Sequence, residues 1–446
     1  MKWYNLDNKI MRKGGRNVKY KAIKSKLYLN KNQRTFLLML MHTSKNLYNE
    51  ALYNVRQHYF ETNTYLDYNS NYKLLSRNSD NYRILNTQQA QAVIRKVDEA
   101  MKAFFGSLRS RVNHKVRLPR YLKKDGHYPI FDRMVYKPNQ DHYVLPRSNF
   151  IKRVSKYVEE TKNCLDKQII GLDVMESLKL EIETPRCITN KQIKEITIKP
   201  KYDGKYIEVI HTYIDEEEIL EKENRRTEIM GIDFGYNNLA TCAVSNGNNL
   251  LIDGLKLKSL NQYYHKRISL LASKRPNQKV LTKKMISLIE KRNNQMTYAI
   301  NKAAKLIIER AVTNDVGKII IGYNEGFKDI TLNDQYNQWS KSIPISRLKD
   351  RIMYLAEQEK IETIVINEAY TSKASYIDKD ELSYQESFSG RRIKRGLYLS
   401  KDKILINADL NAALNIIRKG NPEAKWIGTK GWNTPKRTYL FSRESF

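Results

Sequence analysis

Cysteine is nearly missing from this chain: three residues in 446, Cys164, Cys187 and Cys242, with no CxxC pair among them. That excludes a disulfide framework and a zinc ribbon. Cys242 falls in an apolar stretch and reads as a small core residue. No uninterrupted apolar run approaches a membrane span, and the opening "MKWYNLDNKIMRKGG" lacks the apolar centre of a signal peptide. The expectation is an intracellular protein without a membrane partner. Acid is also in deficit, with 48 Asp and Glu against 80 Lys and Arg, a formal net charge of +32. Such an excess is unfavourable in a compact fold unless a polyanion offsets it. The basic residues are spread along the chain rather than confined to one tail, which favours nucleic acid over a membrane surface. Thirty tyrosines interleaved with them suit base stacking.

What is present divides near residue 226. "VKYKAIKSKLYLNKNQ" alternates basic and apolar residues with period two, as a strand with a cationic outer face would. Two long amphipathic helices follow, "QRTFLLMLMHTSKNLYNEALYNVRQHYF" and "LNTQQAQAVIRKVDEAMKAFFGSLRSR", the second with Leu85, Ala92, Val93, Val97 and Phe104 at roughly helical spacing. Beyond Pro119 come expected strands in "KQIIGLDV" and "EITIKPKYDGKYIEVIHTYI", with Asp203-Gly204 as a hairpin turn. The charged run "DEEEILEKENRR" is the connector. Strands at 229–234 and in "LATCAVSNG" then open a segment where helices and strands alternate, the pattern of a mixed-sheet α/β layer. An irregular basic insert is expected to about residue 405. Residues 421–446 show no regular pattern and read as a mobile tail.

In this second half an acid sits inside an apolar strand: Asp233, between Ile232 and Phe234 in "EIMGIDFGYNNLATCAVSNG". A desolvated carboxylate is costly unless paired or bound to a cation. Two further acids stand beside element ends, Glu368 after "TIVIN" and Asp409 at the start of the helix in "INADLNAALNI". Singly, Glu368 could be a solvated strand-end acid and Asp409 a helix N-cap. Together, with no His or Cys cluster nearby, they have the composition of a hard-cation site.

"GIDFGYNNLATCAV", "EAYTSKAS", "GRRIKRGLY" and "INADLNAALNI" resemble the motifs of the TnpB family, RNA-guided RuvC-type nucleases encoded by insertion sequences and related to Fanzor proteins and type V CRISPR effectors. "NLYNEAL", "LNTQQAQAVIRKVDEAMKAFF" and "LPRYLKKDG" agree more loosely, so the resemblance spans nearly the whole chain. It implies an RNase H-like nuclease domain of α/β type, preceded by a wedge-type β-barrel that carries a helical recognition insertion. The implied domains are a barrel in 1–40 and 120–225, a helical lobe in 41–119, a RuvC domain in 226–420 with a target-nucleic-acid-binding insert at 370–405, and a tail at 421–446.

By the same resemblance Asp233 and Asp409 match the acids of the first and third RuvC motifs. The second motif departs from the common pattern. Many members end the strand equivalent to "KIIIG" in glutamate, where this chain has Gly322; a subset places a glutamate before "YTS" instead, which makes Glu368 the relocated ligand. Glu325 is the competitor, less favoured because its flanks do not match. Many relatives also carry four cysteines around "YTS"; this chain has none there, so zinc is not expected. The resemblance implies two Mg²⁺ ions held by Asp233, Glu368 and Asp409, a guide RNA of the omega type, double-stranded target DNA beside a short adjacent motif, and a monomer on one RNA. Nucleic-acid contacts are expected from Tyr370, Arg392, Lys394 and Arg395, and from Lys284 and Arg292 on a long basic helix. Tyr48, Arg56, Gln88 and Gln91 stand on helices suited to reading the adjacent motif.

Three alternatives stay open. One is a nuclease-dead RNA-guided repressor, which Gly322 keeps alive. Another is a eukaryotic Fanzor with the same chemistry, placing the protein in a nucleus rather than the bacterial cytoplasm or nucleoid. A third is an ATPase of the actin-like or sugar-kinase class, since "GIDFGYNNLA" is similar to a phosphate-binding first motif; the positive charge and the missing second Gly-rich loop weigh against it.

Overall fold

The computed structural model describes residues 2–3, 11–13, 16–109, 116–133, 139–153, 180–202, 204–215, 226–276, 280–324, 342–423 and 435–441, with side chains from residue 20 onward. The strand expected in "KQIIGLDV", the competitor Glu325, and Cys164 lie outside the described residues. The chain forms two compact units, Met1–Ile219 and Leu220–Phe446.

The first unit contains strands β1 (Lys2–Trp3), β2 (Met11–Lys13) and β3 (Arg16–Leu27), helices α1 (Lys31–Thr62), α2 (Tyr68–Asn78), α3 (Asp80–Ile84) and α4 (Thr87–Arg109), then β4 (Ile130–Asp132), β5 (His142–Val144), β6 (Glu181–Glu183), β7 (Ile193–Lys201) and β8 (Tyr206–Asp215). Helix α1 starts ten residues before the expected edge of the helical lobe. Its start is set by Asn30, whose side chain accepts from Gln33 N at 2.8 Å while Gln33 Oε1 accepts from Asn30 N at 3.2 Å, a capping box. Leu37, Met41, Leu47, Leu52 and Val55 of α1 share one core with Val93, Ile94, Val97 and Met101 of α4 and with Ile196, Ile198 and Val209 of the sheet.

The larger sheet here runs β1-β3-β8-β7-β4 with β2 added to β3, and β5 and β6 form a separate pair. It is open: among the described residues no strand closes it into the expected barrel. The β7–β8 hairpin turns at Gly204, whose φ of +76° favours glycine. The cationic face of β3 is also different from the solvated surface its alternation suggests. Lys24 reaches Glu208 at 3.4 Å and Lys21 pairs with Asp215, both acids on the neighbouring strand β8. Lys201 and Lys191 complete those pairs at 2.8 Å each. Much of that charge is neutralised at the sheet, because the antiparallel register sets Lys24 and Lys21 diagonal to Glu208 and Asp215, two residues off direct opposition.

The second unit contains β9 (Glu228–Phe234), β10 (Asn238–Val244), β11 (Leu250–Asp253), α5 (Leu255–Ser273), α6 (Lys283–Thr313), β12 (Val316–Gly322), α7 (Ile345–Gln358), β13 (Glu362–Ile366), β14 (Arg391–Lys394), β15 (Leu397–Leu399), β16 (Leu405–Asn407), α8 (Ala408–Gly420) and β17 (Lys436–Thr438). Its sheet runs β13-β12-β9-β10-β11-β17. Strands β9, β10 and β11 pair antiparallel as successive hairpins, whereas β12 joins β9 and β13 joins β12, both in parallel after helical crossovers. Three antiparallel strands followed by two parallel ones on the first strand's free edge is the RNase H-like order.

Strand β9 explains its own composition. Met230 and Ile232 are fully buried in a core shared with α6 and α7, whereas Gly231 lies against Ala413 and Ile417 of α8. Side chains alternate across a strand, so Asp233 faces the α8 side with Gly231, and its apolar sequence neighbours point the other way. Cys242 is fully buried in the first of these cores, and desolvation pushes its thiol up to about 12, as expected of an inert core cysteine.

Two segments are more regular than the sequence suggests. The basic insert holds a three-stranded sheet, β14-β15-β16. The supposedly mobile tail returns to the main sheet: β17 pairs in parallel with β11, Leu440 is 2 % exposed, and Lys302 Nζ donates to Leu440 O at 2.8 Å. Three residues of strand are too short to produce a readable period, so docking at this edge was invisible in the sequence. No helix among the described residues is long and apolar enough to cross a membrane.

Candidate active site

Asp233 stands near the C-terminal end of β9, paired in register with Thr241 on β10. Thr241 is 1 % exposed and its Oγ1 has no hydrogen-bond partner, on the same face as the carboxyl of Asp233. Asp409 lies at the second position of α8. The N-cap is Asn407, whose Oδ1 accepts from Asp409 N and Leu410 N at 3.1 Å each. The carboxylate of Asp409 is therefore released from capping, and it sits where the helix dipole favours negative charge.

Glu368 lies two residues beyond β13. Gly322 ends the adjacent strand β12, and a Cβ built on it would collide with Ile416 Cδ1 and lie 3.3 Å from Glu368 Cβ. The side chain of Glu368 thus starts beside the point where a residue-322 side chain would start. The loop that carries it is pinned by α8: Asn415 Nδ2 donates to Thr371 O at 2.9 Å and Lys419 Nζ to Ala369 O at 3.0 Å. Thr371 Oγ1 also donates to Glu368 O at 2.8 Å.

Asp233 is influenced by both of the other acids. Desolvation, then the negative charges of Asp409 and Glu368, raise the carboxyl of Asp233 well above its ordinary range, with Arg392 opposing the shift. Burial likewise raises Glu368. Asp409 is engaged at both oxygens: Asn238 Nδ2 donates to Oδ2 at 2.6 Å, and the Arg392 guanidinium donates to Oδ1 at 2.9 Å. Arg392 is the counter-cation of the cluster.

This donor set suits a hard divalent cation, being oxygen only, mutually repulsive and short of positive charge. Among the described residues, however, no three Asp, Glu, His or Cys side chains are gathered to hold one ion. Asp233 senses the charge of the other two acids, and Arg392 occupies Asp409.

The residues expected to touch nucleic acid fall into two groups. Lys394 and Arg395 are exposed on the turn of the β14–β15 hairpin, beside Arg392, and Lys284 is exposed in the first turn of α6. Tyr370 is half-buried in the Glu368 loop at φ 69°. Arg292 is engaged internally, donating to Asn261 Oδ1 at 2.9 Å and to Ser342 O at 2.5 Å, with its guanidinium over the Tyr264 ring. Of the four motif-reading candidates, Tyr48 is 7 % exposed and stacks near Tyr128, and Arg56 lies over Tyr121. Gln88 is exposed and Gln91 half-buried.

Sequence reasoning missed Asn238, Asn411 and Asn415. Asn411 and Asn415 are fully buried one helical turn apart and tie α8 to the insert: Asn411 Nδ2 donates to Ala374 O at 2.8 Å and Asn411 Oδ1 accepts from Tyr376 N at 2.9 Å. Asp380 ties the insert internally, accepting from Ser375 N at 2.8 Å. The available signal was two asparagines four apart within an apolar helix, where each needs a buried partner.

A strand-borne acid, a helix-borne acid and a loop-borne acid stand on one sheet of RNase H-like strand order, an architecture that more than one class of enzyme shares. Comparison with known proteins narrows the class. Residues 208–328 match the OrfB_IS605 family, described as "Probable transposase", and residues 346–416 match a "Cas12f1-like, TNB domain". The TnpB-like protein ORF457 of Acidianus two-tailed virus is 23% identical over 424 residues, covering 88% of this chain and 85% of that protein. The CRISPR-associated endodeoxyribonuclease Cas12f1 of Syntrophomonas palmitatica is 24% identical over 273 residues, 57% of this chain and 53% of that protein, so the match spans about half of its length. A solved Cas12f1-sgRNA-target DNA complex shares the fold at a TM-score of 0.56 and 16% identity, covering 90% of this chain and 84% of that one. These matches together support a protein of the TnpB type.

Proposed function

We propose that this protein is an RNA-guided DNA endonuclease that cuts double-stranded DNA beside a short adjacent motif, with Asp233, Glu368 and Asp409 as its cutting centre. The observation that carries the reading is that three acids from distant parts of the chain come to the same side of the second unit's sheet: Asp233 on the face of β9 that packs on α8, Asp409 in the first turn of α8, and Glu368 beside the end of β12. The excess of 32 positive charges serves the RNA and DNA backbones, while base pairing with the guide supplies sequence recognition. Divalent cations, Mg²⁺ in the first instance, would be held by Asp233, Glu368 and Asp409, and when bound they supply a lowered water pKa and charge neutralisation at the leaving oxygen. Asp233 feels the negative charge of both other acids, so a bound cation would relieve it most. Arg392, released from Asp409, would turn its planar fork to the phosphate of the strand being cut.

The test is to sequence the RNA that copurifies with the protein expressed from its own locus, then to offer a matched duplex with Mg²⁺ or with EDTA. Cleavage in Mg²⁺ alone supports the reading. Binding without cleavage in Mg²⁺ or Mn²⁺ would leave the second reading, a guided repressor, which Gly322 keeps open. Arg392→Gln is expected to slow single-turnover cleavage on the order of 10²-fold with little change in guide binding; an unchanged rate would remove Arg392 from the phosphate.

A further inference from the structure

We infer that Asn238 is a positioning residue that fixes the rotamer of Asp409, leaving Oδ1 as the oxygen that exchanges its cation. The inference rests on the reading of Asp409 as a metal ligand. Asn238 Nδ2 donates to Asp409 Oδ2 at 2.6 Å, a short charge-assisted bond, while Oδ1 carries Arg392 at 2.9 Å. The amide orientation follows from chemistry, since a carboxylate accepts only and would repel the amide oxygen.

The platform under Asn238 is stiff. It is the first residue of β10, in register with Asp253 of β11, directly after the turn from β9. Gly254 N donates to Asn237 O at 2.7 Å, and a Cβ on Gly254 would stand 2.7 Å from Tyr236 O, so the turn is closed against that glycine. Asp409 is equally fixed at its backbone by the Asn407 cap. The one remaining freedom of Asp409 is rotation of its side chain, and the bond from Asn238 removes it. Holding Oδ2 leaves Oδ1 facing Arg392, whose side chain is 45% exposed on a hairpin strand where all four residues face solvent. One oxygen is anchored to the sheet and the other is paired with a cation that can leave. Hydrogen bonds that orient a metal ligand in this way typically change metal affinity ten- to hundredfold when lost.

The test is Mn²⁺ binding to the full chain without nucleic acid, read by electron paramagnetic resonance, alongside the Mg²⁺ dependence of cleavage. Asn238→Leu keeps the number and branching of side-chain heavy atoms and removes the donor; Asn238→Ser keeps a hydroxyl donor on a shorter side chain. The expected result is Mn²⁺ affinity about tenfold or more weaker for Leu, a smaller loss for Ser, and for Leu a raised half-saturating Mg²⁺ with recovery of the plateau rate. Leu binding Mn²⁺ like the parent, or Ser losing more than Leu, would reduce Asn238 to a packing residue and overturn the inference. Asp409→Ala and Asp233→Ala serve as reference: if these also leave Mn²⁺ binding unchanged, the metal reading itself fails, and the inference with it.

Discussion

Asp233→Asn is expected to suppress target cleavage by at least about a thousandfold, the several kcal/mol that a metal centre supplies to the transition state, while making the metal-free fold more heat-stable. Both effects have one cause. Desolvation and the charges of Asp409 and Glu368 raise the carboxyl of Asp233 above its ordinary value of 3.8. In the unfolded chain those influences vanish. Between the ordinary value and the raised one the folded state binds more protons than the unfolded state, so this residue's contribution to stability falls as pH rises through that window. Asparagine has no proton to lose and escapes the penalty. In EDTA the melting temperature of the Asn variant should exceed that of the parent at neutral pH, and the gap should close towards pH 4. Mg²⁺ should raise the parent's melting temperature and leave the variant's unchanged, and copurifying RNA should be the same for both. An Asn variant that melts lower than the parent in EDTA, or whose advantage ignores pH, would show that Asp233 is a structural acid held by partners of its own.

The sequence exposed the acids because their chemistry conflicts with their surroundings, and conflict is legible residue by residue. An aspartate between Ile232 and Phe234 violates the apolar run, and the fold resolves the conflict by pointing those neighbours at one core and Asp233 at the opposite face. Pairings between distant positions were not legible. Nothing in "GRRIKRGLY" distinguishes Arg392, which reaches Asp409, from Lys394 and Arg395, which face solvent. Nothing local ties Arg292 to Asn261 and Ser342, because both partners arrive from other elements. The strand β3 shows the same limit from the other side. Its alternation was readable, but the acids of β8 that neutralise Lys21 and Lys24 lie nearly two hundred residues later. Open or closed sheet topology is likewise a property of which edges meet, and period-two alternation is identical in both.

Gly231→Ala is expected to be among the most damaging single-methyl changes in the second unit, costing about 3 kcal/mol or more and sharply lowering soluble yield. Gly231 is in ordinary strand conformation, so the requirement is space. An added Cβ would run into the Ala413 carbonyl oxygen and stand 2.6 Å from Ile417 Cγ1. A side chain can swing away from a new methyl, but a helical carbonyl moves only with its helix, so α8 must lift from β9. Those two elements carry Asp409 and Asp233, and the bond from Asn238 spans the same gap. Gly247→Ala is the matched control. Its φ of +85° costs alanine about 1–2 kcal/mol, yet nothing lies within 4 Å of the new Cβ. Chemical denaturation of the two variants should therefore show the glycine with ordinary φ as much the more sensitive. Adding Ile417→Ala should recover only part of the loss, since the Ala413 carbonyl remains. A Gly231→Ala protein as stable as the Gly247→Ala protein would mean that α8 packs less closely on β9 than the contact of Gly231 with Ala413 requires, and the acids would then lack a fixed separation.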